Sequence, residues 1–307
     1  MSDTQIRGVV VPILTPFNPD ETVDVESLKR LVDYLIDNGV HGIWVSGTTG
    51  EFGNMSDSER IKSIDTVVEH VAGRVPVIGN ISGASTQLTV SLAQQVSESG
   101  LDGLAATPPY YYPNAQDELL DHYRHIQDRV NLPLWVYNIP QTVKTAVEPG
   151  TIATLAAEGA VVGVKDSSGA GELLAQLNVL CEQGEISLMR FLGTAFRVTS
   201  ASAVGAHGVI PGIANLIPAI ISRGWEAGEA GDAETVRESN AGIMVAGKAS
   251  QVTKGGSPNA AAFGAMKASL KIMGVLEHDT LSKPFRPLAD EEKEQLPPIL
   301  KELGLLS

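Results

Sequence analysis

Short apolar runs alternate with stretches of helical spacing along most of the sequence, and this alternation constrains the fold more than any other feature. The runs are Val9–Leu14, Val40–Val45, Val75–Gly79, Leu101–Ala106, Leu132–Tyr137, Val161–Lys165, Ile186–Leu192 and His207–Ile210. Apolar runs of this kind between helices are typical of buried strands in a parallel sheet. Eight consecutive strand–helix units predict an α/β fold, the closed (β/α)8 or TIM barrel. A doubly wound sheet is less compatible, because no Gly-x-Gly-x-x-Gly motif follows the first run.

After the eighth run the sequence contains only helical patterns. These patterns predict helices at Ala214–Ala230, Ala233–Gln251, Pro258–Met273 and Asp290–Leu303, the last of them broken at Pro297 and Pro298. One of these helices must complete the barrel, and no flexible linker separates the others from it. We therefore expect a barrel over residues 1–230 and a C-terminal helical extension over residues 231–307 that packs on the barrel.

Composition excludes several classes of partner. The chain has 307 residues and a net charge of −14 at pH 7. Nucleic acids and anionic membranes are bound through clustered Lys and Arg, so neither is an expected partner. No stretch has the roughly 18 uninterrupted apolar residues of a membrane helix, and the first residues do not resemble a secretion signal. The single cysteine, Cys181, excludes a disulfide framework. We expect a cytoplasmic protein that acts on a small molecule.

In a parallel barrel, the loops after the carboxyl ends of the strands build the active site. The polar and aromatic residues that the sequence places there are Ser46, Thr48, Thr49, Tyr110, Tyr111, Tyr112, Tyr137, Lys165 and Thr194. This set has one lysine and several hydroxyl groups, but no histidine, cysteine or pair of carboxylates. Structural interpretations stay open, since Lys165 can end a strand, Tyr137 can be a rim aromatic and Tyr110–Tyr112 can be an interface patch.

A lysine among hydroxyl groups at the mouth of an apolar barrel is suited to Schiff-base chemistry. Val161, Gly163 and Lys165 alternate along one face of their strand, so Lys165 is aligned with the barrel core. Burial disfavours a charged ammonium, and only the neutral amine attacks a carbonyl group. Tyr137 can relay protons. The turn Gly47–Gly50 can bind a carboxylate through its N–H groups, although it can equally be an ordinary tight turn.

Two other chemistries of α/β barrels fit the sequence less well. His122 and His125 are three residues apart on a predicted helix, and no His, Asp and Glu cluster has the spacing of a metal site. A metal-dependent aldolase is therefore disfavoured, and we predict neither a metal nor a cofactor. A phosphosugar isomerase would need a strand-end Glu or His as its base, and none is evident.

Three motifs of the sequence resemble a known family. Gly47–Glu51, Tyr137–Pro140 and Gly163–Asp166, in this order and spacing, resemble the dihydrodipicolinate synthase / N-acetylneuraminate lyase family. The resemblance covers nearly the whole chain, including the C-terminal helices. It implies a class I aldolase, dehydratase or synthase that forms a Schiff base with pyruvate on a (β/α)8 barrel. It also implies a homo-oligomer, either a tetramer or a dimer.

The resemblance also implies roles for single residues. Lys165 matches the Schiff-base lysine, and Tyr137 matches the tyrosine that relays protons. Thr48 matches the threonine that links this tyrosine to a second one. That second tyrosine reaches in from a neighbouring subunit and matches Tyr111, with Tyr110 as the adjacent alternative.

Two further matches concern the keto acid itself. Thr49 matches a residue that contacts the carboxylate of pyruvate. Ile210, in Gly208-Val209-Ile210, matches a residue whose backbone faces the imine. Together these matches imply a site for a small 2-keto acid.

One position departs from the lysine-pathway synthases of this family. They carry an arginine two residues after the proline of the Tyr-Asn-x-Pro motif, and this sequence has Thr142 there, with Lys144 two residues further on. Loss of a bidentate cation weakens the binding of an aldehyde that bears a carboxylate. The loop Thr107–Pro113 is more similar to aldolases acting on 2-keto-3-deoxygluconate.

We therefore expect a lyase that cleaves a 2-keto-3-deoxy sugar acid reversibly into pyruvate and an aldehyde, or dehydrates it. One alternative is a 4-hydroxy-tetrahydrodipicolinate synthase, which condenses pyruvate with aspartate semialdehyde. An alternative of another class is a keto-acid-binding protein without turnover.

Overall fold

The computed structural model describes residues 6–169 and 171–306, and its centre is a closed barrel of eight parallel strands. The strands are β1 (Gly8–Pro12), β2 (Gly42–Val45), β3 (Val77–Asn80), β4 (Gly103–Ala106), β5 (Leu134–Asn138), β6 (Gly163–Asp166), β7 (Met189–Leu192) and β8 (Gly208–Val209). Each strand pairs with the next along the chain, and β1 also pairs with β8. The predicted (β/α)8 barrel with C-terminal helices is confirmed.

Helices surround the barrel and continue beyond it. The α-helices of the described residues are α1 (Val25–Asp37), α2 (Asp57–Val71), α3 (Thr86–Val96), α4 (Gln116–Gln127), α5 (Pro140–Val143), α6 (Pro149–Ala157), α7 (Glu172–Gly184), α8 (Pro218–Ala230), α9 (Ala233–Gly247), α10 (Pro258–Ile272), α11 (Asp290–Lys293) and α12 (Leu296–Glu302). Between β7 and β8 a 3-10 helix, Ala195–Val204, takes the place of an α-helix. Among these residues, no helix combines the length and apolar character needed to cross a membrane.

Strands β2 to β6 begin two residues later than their apolar runs predict. Some of the residues before the strands are buried even though they lie in loops, as Leu101 and Val161 show with exposures of 5% and 2%. Leu101 packs against β3, where a Cβ on Gly79 would lie only 2.6 Å from its Cδ1 atom. The apolar runs therefore include the buried end of each helix–strand loop, which sequence patterns do not separate from the strand.

The interior of the barrel is filled by large aromatic side chains that lie opposite glycines. Trp135 contacts Phe191 edge to face, with ring centres 5.3 Å apart. A Cβ on Gly163 would lie 2.5 Å from the Trp135 ring, and one on Gly208 would lie 2.2 Å from the Phe191 ring. These glycines make room for the rings in a close-packed interior. Because these rings fill the interior, we expect a ligand to bind at the end of the barrel where the strands have their carboxyl ends.

The C-terminal helices pack on the barrel, and α8 completes it by packing against β1. Two details differ from the prediction. Pro297 and Pro298 lie in the first turn of α12, and the break precedes them, because a proline fits where no intrahelical N–H bond is needed. The predicted helix 233–251 ends at Gly247 and continues as a 3-10 helix. The division of the chain at residue 230 stays a prediction.

Candidate active site

Lys165 and Tyr137 are neighbours in the barrel wall. They are register partners of β6 and β5, so both side chains point to the same interior space. The Lys165 Nζ atom lies 4.1 Å from the centre of the Tyr137 ring and 5.3 Å from the Trp44 ring. Lys165 is only 3% exposed. No residue among 6–169 and 171–306 hydrogen-bonds to its amine or forms an ion pair with it, so the amine contacts aromatic faces instead.

The turn after β2 brings Thr48 to Tyr137. The two hydroxyl oxygens are 3.0 Å apart, within hydrogen-bonding distance. The turn is compact, because Ser46 and Glu51 adopt left-handed backbone conformations with φ of 57° and 62°. A glycine also suits position 50, where a Cβ would make a tight contact of 3.1 Å with the Ile13 carbonyl oxygen. The backbone of the turn thus sets the position of the threonine hydroxyl.

The buried guanidinium of Arg60 is hydrogen-bonded to the first residue of this turn. Arg60 donates to the carbonyl oxygens of Ser82 and Asn80, each at 3.0 Å, and to the Ser46 hydroxyl at 3.3 Å. Its guanidinium also lies over the Phe52 ring, 5.1 Å from the centre. Burial lowers the pKa of Arg60 to about 10, which leaves the guanidinium charged at neutral pH. Arg60 does not line the space above Lys165.

Above Lys165 is a cavity of about 370 Å³. Its walls are Pro12, Thr48, Thr49, Tyr137, Ile139, Gln141, Lys165, Ser167, Gly193, Thr194, Ala195, Phe196, Ile210, Gly212, Asn259 and Phe263. Of the described residues in this wall, Lys165 alone is charged. Thr49 is close to Gly212, where a Cβ would lie 3.2 Å from its hydroxyl oxygen. Five predicted site residues therefore share one cavity: Lys165, Tyr137, Thr48, Thr49 and Ile210.

Two predicted residues lie elsewhere. Thr142, in α5, lines a smaller adjoining cavity of about 180 Å³ together with Tyr110. Tyr111 lines neither cavity; it is 65% exposed and stacks edge to face on Tyr112. Lys144 lies over the Tyr111 ring, 5.7 Å from its centre, and does not line either cavity.

Sequence reasoning missed the part of the wall that comes from the C-terminal helices. Asn259 and Phe263 of α10 line both cavities. The sequence does carry a helix-start signal there, since the Ser257 side chain accepts a hydrogen bond from the Ala260 N–H, and Pro258 occupies the first turn. No local pattern indicates that this helix end lies over the barrel mouth. Gln141 and Ser167 were also missed, although they follow β5 and β6 closely and the strand-end rule could have indicated them.

The arrangement offers one type of chemistry. A buried lysine, which no carboxylate of the described residues pairs with, lies beside a phenol that contacts a second hydroxyl group. Within the described residues, no group of three or more His, Cys, Asp and Glu side chains could hold a metal ion. A nucleophilic amine with a proton relay is the equipment for imine formation with a carbonyl compound.

Comparison with known proteins places the chain in a family. The model of the dihydrodipicolinate synthetase family matches residues 5–303. A 4-hydroxy-tetrahydrodipicolinate synthase of Pelobacter propionicus is 32% identical over 300 residues, which cover 98% of this chain and 99% of the relative. An uncharacterized DapA-like lyase of Halobacterium salinarum is also 32% identical, over 98% of this chain and 95% of the relative.

Solved structures agree with these sequence relatives. The dihydrodipicolinate synthase of Thermotoga maritima superposes with a TM-score of 0.88 at 32% identity, covering 99% of this chain and 100% of that one. The enzyme of Bacteroides thetaiotaomicron gives a TM-score of 0.91 at 30% identity, covering 98% and 100%. The chain therefore belongs to the dihydrodipicolinate synthetase family, whose members are class I, pyruvate-dependent lyases and synthases.

Proposed function

We propose that the chain binds pyruvate, or the pyruvyl part of a 2-keto acid, as an imine on Lys165 and uses it to cleave or form a carbon–carbon bond. The observation that carries this proposal is the environment of Lys165. Its amine is almost fully buried and lies 4.1 Å from the centre of the Tyr137 ring. No carboxylate among residues 6–169 and 171–306 pairs with it. Because no ion pair or hydrogen bond of the described residues holds the amine, it is free to approach a carbonyl carbon in the cavity above it.

The reaction needs proton transfers at each step. The Lys165 amine adds to the keto carbon of pyruvate, and the carbinolamine loses water to give the imine. The imine then accepts electrons when a proton leaves the adjacent methyl group, and the resulting enamine adds to an aldehyde carbonyl. Water finally releases the 4-hydroxy-2-keto acid and regenerates the amine; cleavage follows the same steps in reverse. Tyr137 is the proton relay, and the Thr48 hydroxyl, 3.0 Å away, orients its phenol.

The rest of the keto-acid site follows from the turn after β2. We assign the pyruvate carboxylate to the N–H groups and hydroxyls of Thr48 and Thr49, because a compact turn presents backbone donors to an anion. Ile210 lines the same cavity, and we assign its backbone to the face of the imine. Tyr111 lies outside both cavities of its own chain, so we assign it to the site of a second copy in a homo-oligomer.

The far end of the substrate is, in this proposal, neutral and hydroxylated. Besides Lys165, the cavity wall has the amides of Gln141 and Asn259 and the hydroxyls of Ser167 and Thr194. None of the other described residues in this wall is charged. Amides and hydroxyls donate to and accept from sugar hydroxyl groups, whereas a second carboxylate is held better by a cation. This supports a 2-keto-3-deoxy sugar acid, cleaved or dehydrated, as the substrate.

A second candidate is the condensation of pyruvate with aspartate semialdehyde. It is favoured by the names of relatives such as the 4-hydroxy-tetrahydrodipicolinate synthase of Pelobacter propionicus. Against it stands Thr142, which lines the adjoining cavity where the lysine-pathway synthases are expected to place an arginine. The two candidates share the imine and differ only in the aldehyde.

Trapping of the imine tests the shared chemistry. The protein is incubated with pyruvate and sodium borohydride, and we expect intact-mass spectrometry to find one reduced three-carbon adduct and peptide mapping to place it on Lys165. Lys165→Met should take up none. An adduct on another lysine, or none on the wild-type protein, would contradict the assignment.

An acceptor screen then separates the two candidates. Pyruvate release is measured from a series of 2-keto-3-deoxy sugar acids, and pyruvate consumption is measured with aspartate semialdehyde. We expect turnover with a sugar acid and little with the semialdehyde. The reverse result would identify the synthase, and an adduct without any turnover would indicate a keto-acid-binding protein.

A further inference from the structure

A second charged group lies at the end of the Thr48 turn, fully buried between the barrel and α10. One carboxylate oxygen of Glu51 accepts a hydrogen bond from Lys267 Nζ at 2.5 Å, and both side chains are 0% exposed. The other oxygen accepts from the backbone N–H and the hydroxyl of Ser282, at 2.8 and 2.6 Å. Both oxygens of the carboxylate are therefore hydrogen-bonded to C-terminal residues.

The partners of this carboxylate are connected in turn. Lys267 Nζ also donates to the Thr280 carbonyl oxygen at 2.9 Å and lies 4.2 Å from the centre of the Phe17 ring. The Asn54 amide donates to the Ser282 hydroxyl at 3.0 Å. The network thus joins the β2 turn, α10 and the segment after α10 at one buried point.

A buried ion pair adds little to the free energy of unfolding compared with apolar side chains. Removing two charges from water is costly, and apolar side chains of similar volume stabilise a core as well or better. A pair that is kept in a fully buried place is therefore a candidate for holding one particular geometry. In this protein, the geometry in question is the arrangement of the walls of the cavity above Lys165.

The network holds two walls of that cavity. The Glu51 N–H donates to the Thr48 carbonyl oxygen at 3.0 Å, so the anchored residue is bonded directly to the threonine that contacts Tyr137. Lys267 lies on α10, whose first turns bring Asn259 and Phe263 into the cavity wall. A shift of this junction would move the Thr48 hydroxyl and the α10 wall relative to Lys165.

We propose that Glu51 and Lys267 are positioning residues of the active site: their buried pair holds Thr48 against Tyr137 and keeps α10 over the cavity. Neither residue contacts the reacting atoms in this role. The effect on turnover rests on the proposed Schiff-base function, whereas the effect on the geometry of the turn does not.

The test compares Glu51→Gln with Glu292→Gln. Glu292 is a matched control, because it is also a buried carboxylate of the C-terminal region, bonded to Arg286 and to the Lys254 and Ala289 N–H groups, away from the Thr48 turn. We expect Glu51→Gln to lower kcat by about 10- to 100-fold well below its melting temperature, since small misplacement of catalytic groups has effects of this size. Glu292→Gln should lower stability but leave kcat within about twofold of the wild-type value.

Two further measurements separate positioning from a general loss of stability. Glu51→Gln combined with Thr48→Val should be no slower than the slower single variant, because both changes disturb the same hydroxyl contact. Hydrogen exchange of residues 46–55 should be faster in Glu51→Gln and unchanged in Glu292→Gln, and this readout needs no turnover. If Glu51→Gln does not fold, the double variant Glu51→Gln/Lys267→Met, which leaves no charge unpaired, takes its place.

The outcomes are distinct. The proposal would be overturned if Glu51→Gln changed neither kcat nor the hydrogen exchange of the turn. It would also be overturned if the fold-losses in kcat of Glu51→Gln and Thr48→Val multiplied in the double variant, because the two changes would then act independently. Faster exchange of the turn would support the positioning role even if no pyruvate adduct formed. Absence of the adduct in the wild-type protein would reject the Schiff-base function alone.

Discussion

Among the residues that the structure describes, two buried lysines have contrasting surroundings. Lys165, at the carboxyl end of β6, contacts the Tyr137 and Trp44 rings. It forms no ion pair with any residue that the structure describes. Lys267, on α10, is paired with Glu51 and hydrogen-bonded to a carbonyl oxygen. The first lies at the floor of a cavity and the second inside the junction between barrel and C-terminal helices. The described residues thus provide a counter-charge for Lys267 but none for Lys165.

The surroundings of the two lysines suit them to different roles, one chemical and one structural. Burial lowers the pKa of Lys267, and the carboxylate of Glu51 counteracts this lowering by stabilising the ammonium. An ammonium that is held by a carboxylate and a carbonyl group is unavailable as a nucleophile. A buried amine that faces aromatic rings and an open cavity has no such restraint, so we assign the chemistry to Lys165.

Substitution of Lys165 should have the largest effect on activity and the smallest on folding. We expect Lys165→Met to lower turnover by at least about 10⁴-fold, because the covalent intermediate has no other attachment point. Its stability should equal or exceed that of the wild-type protein, since methionine fills a similar volume and no ion pair or hydrogen bond of the described residues is lost. Steady-state kinetics and urea denaturation measure the two effects. A marked loss of stability would mean that Lys165 also has a structural role.

Substitution of Lys267 should show the opposite pattern in stability. Lys267→Met leaves the Glu51 carboxylate buried without its cation, and breaking a buried pair in this way costs about 3–5 kcal/mol of unfolding free energy. Adding Glu51→Gln removes the unpaired charge and should restore a large part of this loss. Denaturation of the single and double variants gives both values. Equal stability of Lys267→Met and the wild-type protein would show that the two buried lysines do not differ as described.

Substitution of Tyr137 should have a smaller effect that concerns the surroundings of Lys165 alone. Tyr137→Phe keeps the ring next to the amine but removes the hydroxyl that contacts Thr48. We expect turnover to fall by about 10²-fold, as for loss of a proton relay, with the borohydride adduct still forming slowly. Rapid-quench trapping measures the rate of adduct formation. A rate unchanged from the wild-type protein would remove Tyr137 from the imine-forming step.

Much of the cavity could be predicted from the sequence, because strand ends in a parallel barrel share one rim. The motifs around Thr48, Tyr137 and Lys165 each follow an apolar run, and strand pairing then brings them together regardless of loop details. Thr142 and Tyr111 do not line the cavity above Lys165, and their predicted roles stay predictions. The short helix α5 places Thr142 in the adjoining cavity, and the Tyr111 side chain points to solvent rather than into the site of its own chain.

The sequence by itself determined the barrel, the order of its strands and the residues at their carboxyl ends, since these depend on local periodicity and on the rule that parallel strands align. Only the tertiary structure decided which lysine is paired and which is not. Glu51 and Lys267 are 216 residues apart, and Asn259 reaches the cavity from a helix that follows the last strand. No local pattern encodes such contacts, because they depend on how the C-terminal helices pack on the finished barrel.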